Sequence, residues 1–435
     1  MAERPNVVFI LSDQQRWDTV GAYGCPVDLT PNLDALAKRG VRFERAFTCQ
    51  PVCAPARGCL QTGKYATAHG VYRNGIPLAE SERTLAHFFK DAGYDVGYTG
   101  KWHLAETRDQ AVPPARGGGY VDHWVAADLL EFTSHPYDGC MFDADMRPVP
   151  VEGYRVDWTT EQAMRWLRAR RSDNPFYLFL SYLEPHHQND WNRFVAPDGY
   201  AERYANNAWV PGDLRGRPGD WPSQWPDYLG CIKSIDENVG RILAELPDNT
   251  LVFYTSDHGC HFRTRNAEYK RSCHESSIRI PAIVAGPGVA RGRVVEEIVS
   301  LVDFPPTLLD VAGISVPGSM QGQSMARLWG DGAADWPEEA FFQISEAEVG
   351  RGIRTRQWKY SLYAPEKSPR DDAGSDTYVE RYLYDLRADP HETYNLVGRP
   401  DHAEVAAQLR ERLVRRMVAA GEAAPEITPA RYPAG

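Results

Sequence analysis

A cysteine at the head of a short helical run, with an arginine one turn on, is the part of this sequence best suited to chemistry on an anion. Residues 53–64 read Cys53-Ala54-Pro55-Ala56-Arg57-Gly58-Cys59-Leu60-Gln61-Thr62-Gly63-Lys64. Pro55 is pre-set for a first helical turn, where its missing N–H costs little. Cys53 then sits at a helix N-terminus, where free N–H groups and the dipole favour negative charge. Arg57 faces the same spot with a planar fork that suits sulfate or phosphate oxygens, and Gly63 ends the helix. Taken alone, the run also reads as an ordinary helix start with a buried cysteine. Four further polar clusters each follow an apolar, β-rich run: Ser12-Asp13-Gln14, Gly100-Lys101-Trp102-His103, Glu184-Pro185-His186-His187 and Ser256-Asp257-His258-Gly259. In open α/β sheets ligands bind beyond the carboxyl ends of the strands. Four clusters in that position imply one shared site. Lys101 and His103 flank Trp102 and, at strand spacing, point to the same side.

The elements that must position these residues alternate along the chain. Val7–Leu11, Asp95–Thr99, Phe176–Leu183, Leu251–Thr255 and Ile280–Ala285 read as strands. Helical patterns lie between them, at Arg83–Ala92, Thr159–Arg170 and Asp227–Leu246. Thr30 caps a further helix with Pro31 at its first position, Leu33, Leu36 and Ala37 on its apolar face and Gly40 at its stop. This order predicts an α/β domain with a mostly parallel sheet. A Gly/Pro/Asp-rich stretch, residues 313–338, sets off a C-terminal part, giving domains of 1–335 and 336–435. In the latter, Trp358–Tyr363 and Arg381–Leu386 read as antiparallel strands. Residues 402–419 read as a closing amphipathic helix with Val405, Leu409, Leu413 and Met417 on one face. Residues 105–157 and 188–226 read as long surface loops.

With 435 residues the chain can bury one large core and a smaller second one. A net charge of −11 argues against nucleic acid as a partner, but local Arg, Lys and metal ions set the field in a pocket, so an anionic small substrate is compatible with it. The apolar run Val7–Leu11 after Met1-Ala2-Glu3-Arg4-Pro5-Asn6 is too short for a signal peptide or a membrane span. The chain as given therefore reads as cytoplasmic, without a membrane partner. Cys25, Cys49, Cys59, Cys140, Cys231, Cys260 and Cys273 read as free, small and buried. A homo-oligomer is compatible with the sequence.

Residues 53–64 resemble the signature of the formylglycine-dependent sulfatases, in which a Cys two residues before Pro and four before Arg is oxidised to formylglycine. The resemblance covers nearly the whole chain, in the family's order. Asn6-Val7-Val8-Phe9-Ile10-Leu11-Ser12-Asp13 is similar to its opening strand, and Thr30-Pro31-Asn32-Leu33-Asp34-Ala35-Leu36-Ala37 to its first helix. Gly97-Tyr98-Thr99-Gly100-Lys101-Trp102-His103, Asp257-His258-Gly259, and Lys270 through Arg279-Ile280-Pro281 also match. Leu383-Tyr384-Asp385-Leu386 with Asp389-Pro390-His391-Glu392 and Asn395-Leu396 resembles its C-terminal subdomain. The fold implied is that of the alkaline phosphatase superfamily: a large mixed sheet sandwiched by helices, with a small antiparallel sheet and helix appended.

The resemblance also implies a mechanism. A formylglycine-generating enzyme would convert Cys53, the hydrated aldehyde would attack sulfur, and its second hydroxyl would later expel sulfate. One divalent ion, usually Ca²⁺, would be held by Asp13, Gln14, Asp257, His258 and residue 53. Many relatives have Asp where Gln14 stands and Asn where His258 stands. The site is therefore less negative and slightly softer, and Mg²⁺ or Mn²⁺ stay open. Arg57 and the metal would lower the pKa of the attacking hydroxyl. Lys101 would bind sulfate, and His103 would deprotonate the second hydroxyl. His186, with Lys270 beside it, would protonate or hold the leaving oxygen, and adjacent His187 could exchange roles with it. Asn74 falls where relatives have a substrate-contacting Asn.

The expected function is hydrolysis of a small sulfate ester. The rivals are a phosphonate monoester or phosphodiester hydrolase on the same scaffold, and a non-catalytic sulfate-ester binding protein if Cys53 stays unmodified. The charged Lys101/His103 block favours sulfate. Trp191, Trp209, Trp221 and Trp225 suit a sugar ring, Trp191 being the one assigned to substrate. Packing of the loop or a quaternary-ammonium cage would use the same residues.

Overall fold

The computed structural model describes residues 4–330 and 335–430. Met1–Glu3, residues 331–334 of the 313–338 stretch and the last five residues of the second domain lie outside the described residues. The opening strand Asn6–Asp13 is buried from Val7 onward. Val7, Phe9 and Leu11 enter one apolar core, and Val8 and Ile10 the other. Alternation between two cores is what a strand covered on both faces requires. Helices Cys53–Thr62, Leu85–Asp91 and Phe304–Val311 close the first core. Helices Pro31–Arg39, Arg155–Ala169 and Trp221–Leu243 close the second.

Thr250–Ser256, Asn6–Asp13, Phe176–Pro185, Asp95–Lys101 and His123–Ala127 lie side by side, all parallel. Ala282–Ala285 and Val41–Phe47 continue one side and Asp138–Asp143 the other, each with antiparallel pairing, in a mixed sheet of 12 strands. Register brings the polar clusters together. Ser12 pairs with Ser256, Asp13 with Pro185, and Gly100 with Ser181, so all four expected clusters emerge at one edge. Gly100 permits this closeness. Its φ is +110°, and a Cβ there would lie 1.8 Å from the Ser181 carbonyl oxygen.

Two expectations fail in instructive ways. Residues 105–157 are not one surface loop. His123–Ala127 adds a strand to the main sheet, Asp138–Asp143 and Pro148–Pro150 extend it, and Leu130–Thr133 forms a helical turn. Strands of three to six residues between Gly and Pro clusters leave too few repeats for alternation to register. The long helix starts at Trp221 rather than Asp227 and carries Pro226 inside. Pro226, the sixth residue of the helix, lacks the N–H that would bond back to the carbonyl of residue 222, so the cost falls on a single bond in its second turn.

A second sheet orders Glu339–Ile344, Gly350–Thr355, Trp358–Tyr363 and Thr377–Asp385 antiparallel, with Glu426–Thr428 joining parallel at the edge. Helix Ala403–Ala419 covers it with Ala406, Leu409, Leu413 and Met417. Buried Lys359 of this sheet reaches Glu275 at 2.9 Å and also pairs with Glu392, tying it to the main domain. All eight cysteines are free, and all but Cys140 are buried. No helix among the described residues is long and apolar enough to cross a membrane.

His69 packs against the Cys53–Thr62 helix so closely that a Cβ on Gly58 would lie 2.4 Å from its ring. The Val71 N–H donates to His69 Nδ1 at 3.2 Å, so that nitrogen has no room for a proton. Burial pulls the imidazole down to about 3. Unfolded histidine takes up a proton near pH 6.5, so between pH 6.5 and 3 the unfolded state binds more protons and stability is lost as pH falls. His69 alone contributes a slope of up to ~1.4 kcal/mol per pH unit in that window. Urea midpoints should fall from pH 6.5 to 4.5, and less steeply in His69→Gln. Equal slopes would remove His69 as a source.

Candidate active site

Cys53 is the first residue of its helix and is 1 % exposed. The helix start has fewer spare donors than the sequence implied. The Ala54 N–H donates to Asn74 Oδ1 at 3.1 Å, Pro55 has none, and the Ala56 N–H already bonds Val52. Arg57 also departs from expectation. Its fork is spent on protein: Nη1 donates to the Lys101 carbonyl and to Ser181 Oγ, both at 2.7 Å, and Nη2 to Asp13 Oδ2 at 3.1 Å. Its Nε lies 3.4 Å from Asp257 Oδ2. A guanidinium 2 % exposed must be paired where it is, so Arg57 fixes the two acids instead of opening toward an anion.

Ligand atoms of Asp13, Cys53, Asp257 and His258 all lie within 4.8 Å of one another, and all four residues are buried. His258 Nδ1 lies 2.9 Å from the Gly259 carbonyl and donates to it. Its Nε2 lone pair therefore faces the cluster, 3.2 Å from Cys53 Sγ, 3.6 Å from Asp13 Oδ1 and 3.5 Å from Asp257 Oδ1. A carbonyl-held tautomer is how imidazole is prepared as a metal ligand.

Three observations test whether a cation fits. The buried Asp257 Oδ2 has no hydrogen-bond partner. Burial and then the charge of Asp13 push Asp257 up to about 7, a strain that a divalent cation between the two acids would relieve. The Lys270 ammonium already sits at the focus, 2.8 Å from Cys53 Sγ, 3.0 Å from His258 Nε2 and 3.5 Å from Gln14 Oε1. The donors therefore face a cationic point, and a hard cation with oxygen and one nitrogen donor fits them.

Burial disfavours the charge of Lys101, but Asp13 at 2.9 Å and Glu131 at 3.4 Å outweigh it and raise its pKa. Burial opposes the charge of Asp13 too, yet Lys101, Lys270 and Arg57 hold it well below the usual carboxylate range. His103 and His186 are both lowered, by burial first and then by Lys101 and Lys270 respectively. Both rings are neutral near pH 7. His103 Nδ1 is buried without a partner, which suits a proton acceptor. His186 Nδ1 donates to the His187 carbonyl at 2.7 Å, so its Nε2 carries a lone pair and not a proton. As placed, Lys270 is the better donor. Gln14, His103 and Arg271 hold φ of +70°, +60° and +70°. Such backbone in non-glycine residues costs ~1–3 kcal/mol each and persists where surroundings enforce it.

A cavity of about 240 Å³ opens onto Cys53 and is also lined by Asn74, His103, His186, His187 and Lys270. Of the three residues assigned to substrate, Asn74 and His187 line it, and Trp191 does not. Trp191 is 44 % exposed and stacks on His135 at 4.6 Å. Trp209 and Trp225 pack together at 5.8 Å, and Trp225 is buried in a local core. That is the packing reading of the loop. A larger groove, about 590 Å³, lies beside Thr250 and Ala285 and includes none of these groups.

Sequence reasoning missed Ser181, Glu131, Asn189, Tyr269 and Arg271. Ser181 left a signal, as the lone polar residue within Phe176–Leu183. Glu131 and Asn189 lie in segments read as loops, where an acid or amide has no periodic context.

The family model described as Sulfatase matches residues 5–314, and the one described as N-sulphoglucosamine sulphohydrolase, C-terminal, matches residues 267–419. The Ulvan-active sulfatase of Formosa agariphila is 29 % identical, over 96 % of this chain and 82 % of its own. The N-acetylglucosamine-6-O-sulfatase of Bacteroides thetaiotaomicron is 26 % identical, over 94 % and 86 %. The crystal structure of the yidJ protein of Bacteroides fragilis superposes with a TM-score of 0.83 at 27 % identity, covering 96 % of each chain.

Proposed function

The chain belongs to the sulfatase family and is a sulfuric ester hydrolase, and from that premise we propose that it removes sulfate from a sulfated sugar using residue 53, converted to formylglycine, and one Ca²⁺ ion. The observation that carries the proposal is the convergence of Asp13, Asp257 and His258 on Cys53 beside two ammonium groups. Burial and then Asp13 push the Cys53 thiol up to about 12. An unmodified cysteine there is a protonated, weak nucleophile. The sugar preference is supported by the relatives named for ulvan and for N-acetylglucosamine. It is supported also by a cavity that combines polar groups with Phe132 and Tyr269.

Formylglycine and the divalent ion supply, when present, an oxygen nucleophile and a Lewis acid that lowers its pKa. Asp13, Gln14, Asp257 and His258 would hold the ion. Lys101 places a permanent positive charge next to Asp13, where it attracts sulfate oxygens and faces no bulk water. His103 accepts the proton that must leave residue 53 before sulfate is expelled. Lys270 holds the leaving oxygen and gives it a proton, to be regained from water once the alcohol has left, while neutral His186 lines the same cavity. Arg57 keeps Asp13 and Asp257 at fixed spacing.

A parallel assay tests the reaction class. 4-Nitrophenyl sulfate and sulfated hexoses should be cleaved with kcat/KM at least ~100-fold above that for a 4-nitrophenyl phosphonate monoester, since the two esters carry the same single charge but only sulfate offers three terminal oxygens to the cationic and polar groups around residue 53, one of them being replaced by carbon in the phosphonate. Equal or reversed preference would move the assignment to phosphonate hydrolysis.

A further inference from the structure

Glu131 is a carboxylate in a cavity otherwise built for an anion. The residue is 4 % exposed and lines the cavity. Its Oε1 accepts from Asn189 Nδ2 at 3.3 Å and lies 3.5 Å from Lys101 Nζ. Its Oε2 is buried with no hydrogen-bond partner, 3.4 Å from the same ammonium. Lys101 is held closer by Asp13, at 2.9 Å. The other acid lining the cavity, Glu268, is paired with Arg271 at 2.6 Å. The segment bearing Glu131 is fixed, because Gln188 Nε2 donates to its carbonyl at 2.9 Å. The Gln188 amide oxygen in turn faces Arg155, which pairs with Glu184 at 2.8 Å on the strand leading to His186. A buried acceptor without a donor is costly unless a ligand completes it.

We propose that Glu131 accepts a hydrogen bond from a hydroxyl or ammonium group beside the sulfate ester, so that this enzyme selects substrates with a donor there and rejects those with a second sulfate. The inference rests on the sulfatase reading and names the substrate class within it. A site built around a buried acceptor discriminates strongly against a partner lacking the donor, and like charges in contact are disfavoured. Lys101 binds the reacting sulfate while Glu131, which contacts the same ammonium and lines the cavity, reads the neighbouring position.

Aryl esters isolate that position. 4-Nitrocatechol sulfate carries a hydroxyl next to the sulfate, 4-nitrophenyl sulfate lacks it, 2-(aminomethyl)-4-nitrophenyl sulfate places an ammonium there, and 4-nitrocatechol disulfate places a second sulfate there. In the wild type, kcat/KM should favour the first over the second and strongly over the disulfate. In Glu131→Ala the hydroxyl preference should shrink at least ~10-fold, and in Glu131→Gln the disulfate penalty should shrink by a similar factor. The amine ester separates ammonium from hydroxyl recognition. Ratios between substrates are independent of how much variant folds. If both variants lower every substrate equally, Glu131 acts only through Lys101 and the proposal fails. An ester that is bound but not cleaved is read as a competitive inhibitor of one that is, with equal inhibition by all four again overturning it. Failure to release sulfate from any ester would instead sink the sulfatase reading.

Discussion

Asp13→Ala should abolish activity and also unfold at a markedly lower temperature. Asp13 is fully buried and receives Lys101 at 2.9 Å and Arg57 at 3.1 Å, while facing His258 and the Cys53 thiol. Removing it takes the nearest carboxylate from two buried cations, leaving Lys101 with Glu131 and Arg57 with Asp257, each at 3.4 Å, and breaking a buried pair costs ~3–5 kcal/mol. It also takes one carboxylate from the cluster that would hold the ion. Asp13→Asn preserves the shape and some hydrogen bonds and separates the two effects: its melting temperature should fall less, yet kcat/KM should drop by at least ~10³-fold. A chelator should silence the wild type reversibly, with Ca²⁺ restoring it more fully than Mg²⁺ or Mn²⁺. Undiminished activity after chelation would remove the ion from the account, and an active Asp13→Asn would remove Asp13 from its ligands.

Cys53→Ser should bind substrate and stop after at most one product per enzyme. Serine keeps one oxygen in a pocket whose cations, Lys101 and Lys270, are unchanged, so one attack on sulfur remains open. It has no second hydroxyl for His103 to deprotonate. Cys53→Ala should lose even the single event. Replacing a residue 1 % exposed by a smaller one of similar shape leaves the fold intact. Product counted against enzyme at long times reads the contrast. Sustained turnover by both variants would move the nucleophile to a metal-activated water.

Much of the site was legible because it sits at strand ends. Asp13, Lys101, His186 and Asp257 each follow an apolar run long enough to read as a strand, and parallel order alone brings such ends to one edge. The C-terminal helix was legible from the spacing of Leu409, Leu413 and Met417. Two things were not. Which groups spend their hydrogen bonds on one another depends on three-dimensional pairing, so Arg57 read as an anion fork when it is a brace between Asp13 and Asp257. Short strands such as His123–Ala127 have too few residues to show a period and are stabilised by their sheet neighbours. Glu131 was hidden for that reason, since it follows such a strand. The tryptophans of residues 188–226 illustrate a third limit: composition does not distinguish a ring that packs, like Trp225, from one exposed to solvent, like Trp191.

The central claim is that residue 53 acts as formylglycine, and the mass of the peptide containing it, measured alongside specific activity, tests this most directly. Enzyme should be prepared with and without a coexpressed formylglycine-generating enzyme, and the fraction of that peptide carrying an aldehyde in place of the thiol determined in each preparation. Specific activity should rise in proportion to the aldehyde fraction and extrapolate to zero where position 53 is wholly cysteine. Full activity in a preparation whose Cys53 peptide retains its thiol mass would contradict the account.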